Sequence, residues 1–600
     1  MSWSLLSFST ASGRSYARPL GLNEHSFYFD RVFNGTADLV WRYLVQETSR
    51  ATGTVLFSEH NVRRAWSTLK QWYPLLGAHM DDSRSIDSVQ FVVSERNLSH
   101  HHPDEVNFFS AESREEVESY VWMLQRDKPT QDHHLISRLF VFKHESQPGI
   151  YEVLIRIAHV VGDGISGATI ARTFFDVLTS SPAPIPNLEE RLAMALPTDL
   201  LNPTQKLNPI QQRWRRAIAR VIFLNRRGKL AVRDFPPHNP ATGGHTIPRT
   251  VTEKTYRTPS VTERTGYRFS VPETDTIIAN CRKHKVTFGT VIPVISQLAI
   301  TRMLHRRYLR GDLPLDEWEY RRRQPMHFGG PVNLRPYMDA DRQRRGGLTE
   351  VALAIDYYEC TLPFMPSPFR TRRDGSVPRD TTGAPPFPEL MSPARFFHRG
   401  QLCRKQLRGI MANPLAMDIA AARQPTYVHR KRVMATHWLA EQRGAPLPKL
   451  PVPVHARDSA PADCVFTLGL SSVGQMSLIL PSDYPLPPGH PLSVRTPRPT
   501  QPQFGTLPGE ASPSEGLSPL PPPTTSDADT LLKITDETTY LHSRPMEFFL
   551  GNSTERGMLG LGVTFDRNVY TTADVKEFVE ECRLATLHYL GEAEITKGKL

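Results

Sequence analysis

Apolar residues recur at three- and four-residue steps from Val62 through Trp66, Leu69, Trp72 and Leu76. That spacing predicts an amphipathic helix, closed near Pro74. Residues 88–94 and 135–143 read as strands. So does the stretch from Ile150 to Ala158, where Tyr151, Val153, Ile155 and Ile157 alternate with Glu152, Leu154, Arg156 and Ala158. A Gly162-Asp163-Gly164 turn follows. A helix then starts at about Ser166, with Ile170, Phe174, Val177 and Leu178 on one face. His159 therefore falls at the end of a strand, and Asp163 in the loop ahead of a helix.

Residues 180–262 are rich in Pro, Arg and polar side chains, and one helix, Pro209 to Leu224, is predicted within them. A second ordered block opens with a strand at Tyr267 that runs into a helix through about Lys283. A longer helix from Thr287 carries Val291, Val294, Ile295, Leu298 and Met303. Strands are predicted near His327 to Leu334 and Thr349 to Tyr358. Residues 363–390 read as a mobile Pro/Arg-rich loop, followed by helices to about Gln442 and strands at Val465 to Leu470 and Gln475 to Leu480. From 485 to 523, 13 of 39 positions are proline, with few aromatics. Such a segment cannot repay its ordering entropy and is expected to be disordered. The pattern resumes with strands near Glu547 to Leu550 and Leu559 to Asp566. A closing helix, Thr572 to Leu590, turns Val575, Phe578, Val579, Cys582 and Leu590 inward.

A chain of 600 residues exceeds what one core usually serves, so two domains are expected. The divisions fall at 1–180 (first lobe), 181–262 (linker), 263–484 (second lobe), 485–530 (disordered insert) and 531–600 (completion of the second lobe). The formal charge of +11 favours phosphate-bearing partners without choosing among them. The arginine clusters Arg321-Arg322-Arg323 and Arg344-Arg345 lack the aromatic interleaving of a nucleic-acid reader, so no nucleic-acid partner is expected. The five cysteines, Cys281, Cys360, Cys403, Cys464 and Cys582, form no CxxC pair and no disulfide framework, and read as buried thiols. With no signal-peptide pattern at Met1 to Arg18 and no apolar run of membrane-spanning length, a cytoplasmic monomer without a transmembrane span is expected. The Asn-X-Ser/Thr matches at Asn34, Asn97 and Asn552 then carry no meaning. His100-His101-His102 and His133-His134 lack accompanying ligands at metal spacing, so no metal is expected. Gly-x-Ser-x-Gly, Walker and Rossmann signatures are absent.

The chemistry-bearing feature is His159-Val160-Val161-Gly162-Asp163-Gly164. Imidazole leaves an acceptor lone pair free at neutral pH, and a strand end gives it a rigid position from which to act as a base. The flanking glycines suggest a special backbone conformation or a close approach. Asp163 can cap the next helix or pair with an arginine. A turn with an incidental histidine is the plainer reading of the same residues.

His159-x-x-x-Asp163-Gly164, after an alternating strand and before an amphipathic helix, resembles the HxxxDG motif of the chloramphenicol-acetyltransferase-like superfamily, which includes condensation domains, plant BAHD acyltransferases and fungal O-acyltransferases. Further blocks resemble the family in the same order. They are Val62 to Met80 with Trp72-Tyr73-Pro74-Leu75-Leu76, Val286 to Val291, Gly330 to Tyr337, Ser471-Ser472-Val473-Gly474, and Gly562 to Asp566. The resemblance implies an α/β (α+β) fold of two similar lobes around a central solvent tunnel. It implies acyl transfer from acyl-CoA, a cosubstrate with no permanently bound cofactor, to a hydroxyl or amine of a small-molecule acceptor of the kind found in secondary metabolism. In that scheme His159 is the base and the Gly164 N–H faces the developing oxyanion. Asp163 is architectural, with Arg335 as partner and Arg156 as competitor, and Ser471 or Ser472 adds a hydrogen bond. Arg321-Arg322-Arg323 and the Arg370 to Arg373 region are candidates for contact with CoA phosphates.

Two departures place the chain nearest the fungal O-acyltransferases: Ala158 stands where condensation domains carry a second histidine, and the BAHD Asp-Phe-Gly-Trp-Gly signature is missing. A condensation-type amide-forming enzyme, or a non-catalytic member binding a hydrophobic ligand or a partner protein, is the alternative.

Overall fold

The computed structural model describes residues 2–9, 13–48, 56–126, 134–180, 184–231, 255–368, 376–449, 467–495 and 530–591. Two six-stranded sheets organise two lobes, and a four-stranded sheet flanks the first. The first lobe's sheet runs Asp483–Tyr484, Leu532–Leu541, Leu39–Glu47, Ile150–Ile157, Ser137–His144, Val106–Ala111. The second runs Ile355–Leu362, Met326–Asn333, Leu468–Gln475, Phe548–Glu555, Met558–Asp566, Thr262–Arg268. This mixed α/β architecture is the fold class expected from the sequence.

The strand ahead of His159 is buried on both faces. Val153, Ile155 and Ile157 join the main core of the first lobe, while Leu154 joins Val40, Phe140, Phe142 and Tyr540 under the helix Arg114–Arg126. Its neighbour Leu39–Glu47 is buried in the same way. A strand covered on both sides loses the two-residue alternation, which is why Leu39–Glu47 escapes a sequence reading. The motif helix Gly164–Leu178 packs its Gly167 against Trp41 of that neighbour: a Cβ at Gly167 would stand 2.2 Å from the indole ring. In the second lobe the long helix Phe288–Arg310 and the closing helix Thr572–Leu590 pack Val291, Ile295, Leu298 and Phe578 with Phe548 and Leu550 of the sheet.

Several expectations need correction. Leu532–Leu541, assigned to the second lobe, pairs antiparallel with Leu39–Glu47 in the first. A register shift between Ile534 and Asp536 breaks its alternation and hides it in the sequence. Residues 485–495, placed in the disordered insert, are ordered: the Leu486 N–H, the Ser493 hydroxyl and Arg495 all donate to the buried Asp176 carboxylate, and Leu486, Leu492 and Val494 are buried. The remainder of that insert, 496–529, lies outside the described residues, as does Cys464. In the 363–390 loop, residues 376–390 are held from the long helix. Arg302 donates to the Pro385 carbonyl at 2.6 Å and Arg306 to the Thr382 carbonyl at 2.8 Å. Gln475 to Leu480 is not a strand. The preceding strand ends at Gln475, after Gly474 turns to φ +81° beside a bulge, and a 3-10 turn, Met476–Leu478, follows. The strand expected from Thr349 begins only at Ile355, for a reason that belongs to the site.

Candidate functional site

His159 opens a single 3-10 turn, His159–Val161, between the strand Ile150–Ile157 and the motif helix. Ala158, Val160 and Val161 are buried, whereas His159 keeps partial exposure. Its Nδ1 is buried with no hydrogen-bond partner. One face of the imidazole is stacked on Phe27, with ring centroids 4.2 Å apart. Burial pushes the imidazole pKa down to about 4; Arg544 and Lys431 add to the depression, against its own backbone carbonyl and Asp163. The ring is therefore neutral at physiological pH.

Asp163 caps the motif helix, accepting from the Ser166 N–H at 3.1 Å. Its carboxylate also takes both ends of the Arg335 guanidinium, Nη1 at 2.9 Å and Nη2 at 3.0 Å, and the Ala354 N–H at 2.9 Å. Burial alone would raise this carboxyl. The Arg335 pair and the two backbone donors overcome it and hold the group below its usual range. Arg335 is fully buried and spends its other donors on the carbonyls of Glu350 and Ala352, at 3.0 and 2.7 Å from Nη2. Here is the reason the strand starts late: between Thr349 and Ile355 the backbone turns its polar groups to Asp163 and Arg335 instead of to a neighbouring strand. A carboxylate of the first lobe is thereby locked to a guanidinium of the second.

Arg156, the alternative partner, is directed elsewhere: its Nη2 reaches Asp38 at 3.4 Å. The two motif glycines differ. Gly162 has an extended backbone, and a Cβ there would stand 2.8 Å from the Ser166 Cβ, so the close approach accounts for it. A Cβ at Gly164 would meet no protein atom within 4 Å, and its φ is not positive, so the folded chain itself does not require glycine there. As the first residue of the motif helix, Gly164 has an N–H with no partner inside the helix. Ser471 and Ser472 lie within the strand Leu468–Gln475 of the second lobe, not at a strand-end turn; Ser472 donates to Asn552 Oδ1 at 2.9 Å. Of the arginines considered for phosphate contact, Arg321 is buried and paired with Glu317, and Arg322 and Arg323 both pair with Glu319. That engagement argues against Arg321-Arg322-Arg323 as a phosphate clamp. Arg370 to Arg373 lie outside the described residues.

Sequence reasoning missed the group around Phe27. Lys431 Nζ lies 4.4 Å from the Phe27 ring centroid and Arg544 Cζ 5.5 Å from it. Both cations pair with the buried Asp30, at 2.5 and 2.9 Å. These residues come from the helices Leu22–Val32 and Ala416–Gln442 and from the loop after Leu541, hundreds of positions apart. No local pattern joins them.

The two-lobed fold is one that solved acetyltransferase and condensation-domain structures share. Among solved structures, the chain is similar to the trichothecene 15-O-acetyltransferase of Fusarium sporotrichioides, with a TM-score of 0.63 over 98% of both chains at 10% identity. It is also similar to the condensation domain of the monacolin K polyketide synthase MokA, with a TM-score of 0.51 at 11% identity over 96% of this chain and 98% of that one. The EpoB NRPS cyclization-docking bidomain of Sorangium cellulosum gives a TM-score of 0.51 at 12% identity, over 97% and 85%. No protein-family model matches the sequence, and no curated protein matches it either. Among the described residues no single helix is long and apolar enough to cross a membrane.

Proposed function

We propose that the protein transfers an acyl group from acyl-CoA to a hydroxyl, or an amine, of a small-molecule acceptor, with His159 as general base. The observation that carries this reading is a neutral, partly exposed imidazole fixed at a strand end whose following turn is clamped by the buried Asp163–Arg335 pair.

The acceptor O–H gives its proton to His159 Nε2, the ring nitrogen opposite the buried Nδ1, as its oxygen attacks the thioester carbonyl, forming the C–O bond. The resulting oxyanion receives the Gly164 N–H, the first unpartnered donor of the motif helix. Collapse breaks the C–S bond, and the imidazolium returns its proton to the departing thiolate to give free CoA. A base with a pKa near 4 is weak at rest. The negative charge that develops on the oxyanion beside it raises its basicity at the moment the proton must move. Of the two serines, Ser472 already donates to Asn552, so Ser471 is the remaining candidate for a second contact to the oxyanion. Asp163 acts on the chemistry only by fixing the turn.

The test is release of CoA thiol across a panel of acyl-CoAs and alcohol or amine acceptors, comparing the wild-type chain with His159→Ala. Loss of a general base lowers kcat by about 10²–10⁴-fold. Turnover that survives His159→Ala unchanged, in a correctly folded variant, removes the reading.

A further inference from the structure

The helix Pro209–Ala231 lies on the surface of the molecule with two unlike faces. Its inner face is docked. Ala219 is fully buried, and Arg215 donates at 3.0 Å both to Thr204 Oγ1 and to the buried carboxylate of Asp418, which belongs to the helix Ala416–Gln442. Its outer face is apolar and open. Ile210, Trp214, Ile218, Val221 and Leu224 are 69, 66, 46, 66 and 46% exposed, respectively. At 3.6 residues per turn these five side chains fall within an arc of about 120°, directly away from Ala219, along about 20 Å of helix. A stripe of this kind contributes nothing to the core of the chain and leaves large side chains in water.

Charge accompanies the stripe. Between Pro209 and Ala231 the sequence has seven basic residues and no acidic one. Arg213, Arg216 and Arg220 are exposed along one edge of the apolar arc, and none makes an ion pair among the described residues. A partner must therefore present an apolar layer flanked by negative charge, over a flat area as long as the helix. An anionic phospholipid surface has this structure: acyl chains take up the stripe, and phosphate headgroups meet the arginines. Trp214, near the middle of the stripe, is the side chain type that settles at such a boundary. From these features the geometry points to a membrane-surface docking site on the outer face of this helix, specific for anionic lipid. The helix lies along that surface and does not cross it. This assignment does not depend on the acyl-transfer reading, because none of its residues touches His159 or the Asp163–Arg335 lock.

The experiment is flotation of the full chain with vesicles of phosphatidylcholine, with and without phosphatidylserine, at low and high salt. Binding is expected to the phosphatidylserine-containing vesicles and to weaken with salt. Two variants, Trp214→Ser with Val221→Ser, and Arg213→Gln with Arg216→Gln and Arg220→Gln, should each weaken it about tenfold or more while leaving the melting temperature unchanged. Equal binding to neutral vesicles, or binding indifferent to both variants, overturns the assignment. So does a concentration-dependent dimer that the first variant abolishes, since a second copy of the chain would then be the occupant. Binding that appears only after deletion of residues 232–254 also overturns it, because the face is then covered by the chain itself.

Discussion

Phe27 lies against the imidazole of His159, with ring planes 25° apart, and the same phenyl ring faces the ammonium of Lys431. Two cations, Lys431 and Arg544, thus stand near the histidine across the Phe27 ring, and their charges are matched by Asp30 and Glu547. Burial first, and these cations next, keep the imidazole unprotonated far below its ordinary 6.5. If His159 is the base, kcat/KM should stay level from neutrality down to about pH 5 and fall with a limb near 4, where the buried imidazole takes up its proton. Lys431→Met should move that limb upward, because one cation is removed. A limb at 6.5 in both proteins would contradict the assignment.

The same depression has a stability consequence of definite sign. The unfolded imidazole titrates near 6.5 and the folded one near 4, so the unfolded chain binds more protons between those values. Stability therefore rises with pH across that window and is lost as the pH falls through it. His305, also pushed down to about 4 by burial, acts in the same direction. The contribution of His159 is isolated by comparison: His159→Asn should flatten the dependence of denaturation midpoint on pH between 4 and 6.5, and an unaltered slope would show that the ring is solvated in the folded state.

Removing one partner of a buried ion pair leaves the other charge without water or counter-ion. Asp163→Asn keeps an oxygen to cap the motif helix but strands the buried Arg335 guanidinium, at a cost of about 3–5 kcal/mol. Denaturant unfolding should show this loss, and adding Arg335→Met to the first substitution should recover part of it. Turnover per folded molecule should fall less than in His159→Ala. A variant with unchanged midpoint and abolished turnover would instead give Asp163 a direct part in the reaction.

What the sequence discloses and what it hides follow from where the information lies. The strand Ile150–Ile157, the turn and the motif helix are contiguous, and each declares itself through spacing, so His159 and Asp163 could be found without coordinates. The Asp163–Arg335 pair spans 172 positions, and only the resemblance of Gly330 to Tyr337 to a known strand end singled out Arg335 over Arg156. Leu39–Glu47 stayed hidden because both of its faces are buried, and Leu532–Leu541 because a bulge interrupts its alternation. Phe27, Asp30, Lys431 and Arg544 meet through tertiary packing alone. Composition misled at 485–495, where the prolines are real but Asp176 provides a buried anchor that no composition records.

The glycines of the motif region separate protein packing from chemistry. Gly167→Ala drives a methyl group into the Trp41 ring and should destabilise the chain by about 1–3 kcal/mol, with Trp41→Leu relieving part of the strain. Gly164→Ala meets no protein atom and should leave the unfolding midpoint within about 0.5 kcal/mol of wild type. If the Gly164 N–H faces the oxyanion, its methyl group intrudes where substrate must sit, and kcat/KM should fall while stability holds. A Gly164→Ala enzyme with full activity would move the oxyanion contact elsewhere.

Asp176 sits in the motif helix, twelve residues after Gly164 of the HxxxDG run, yet its carboxylate binds the segment 485–495. It accepts from the Leu486 N–H at 3.1 Å, from the Ser493 hydroxyl at 2.6 Å and from Arg495 Nη2 at 2.8 Å. Because the carboxylate is buried, these donors are its substitutes for water, and removing it leaves them facing an apolar wall. Asp176→Ala should therefore free residues 485–495 from the first lobe, and limited proteolysis should cut within them at a rate the wild type does not show. Arg495→Met keeps the carboxylate and two of its three donors, so it should open the segment less. Equal cleavage of both variants and wild type would mean that Leu486, Leu492 and Val494 hold the segment by burial alone, with the carboxylate a passive neighbour.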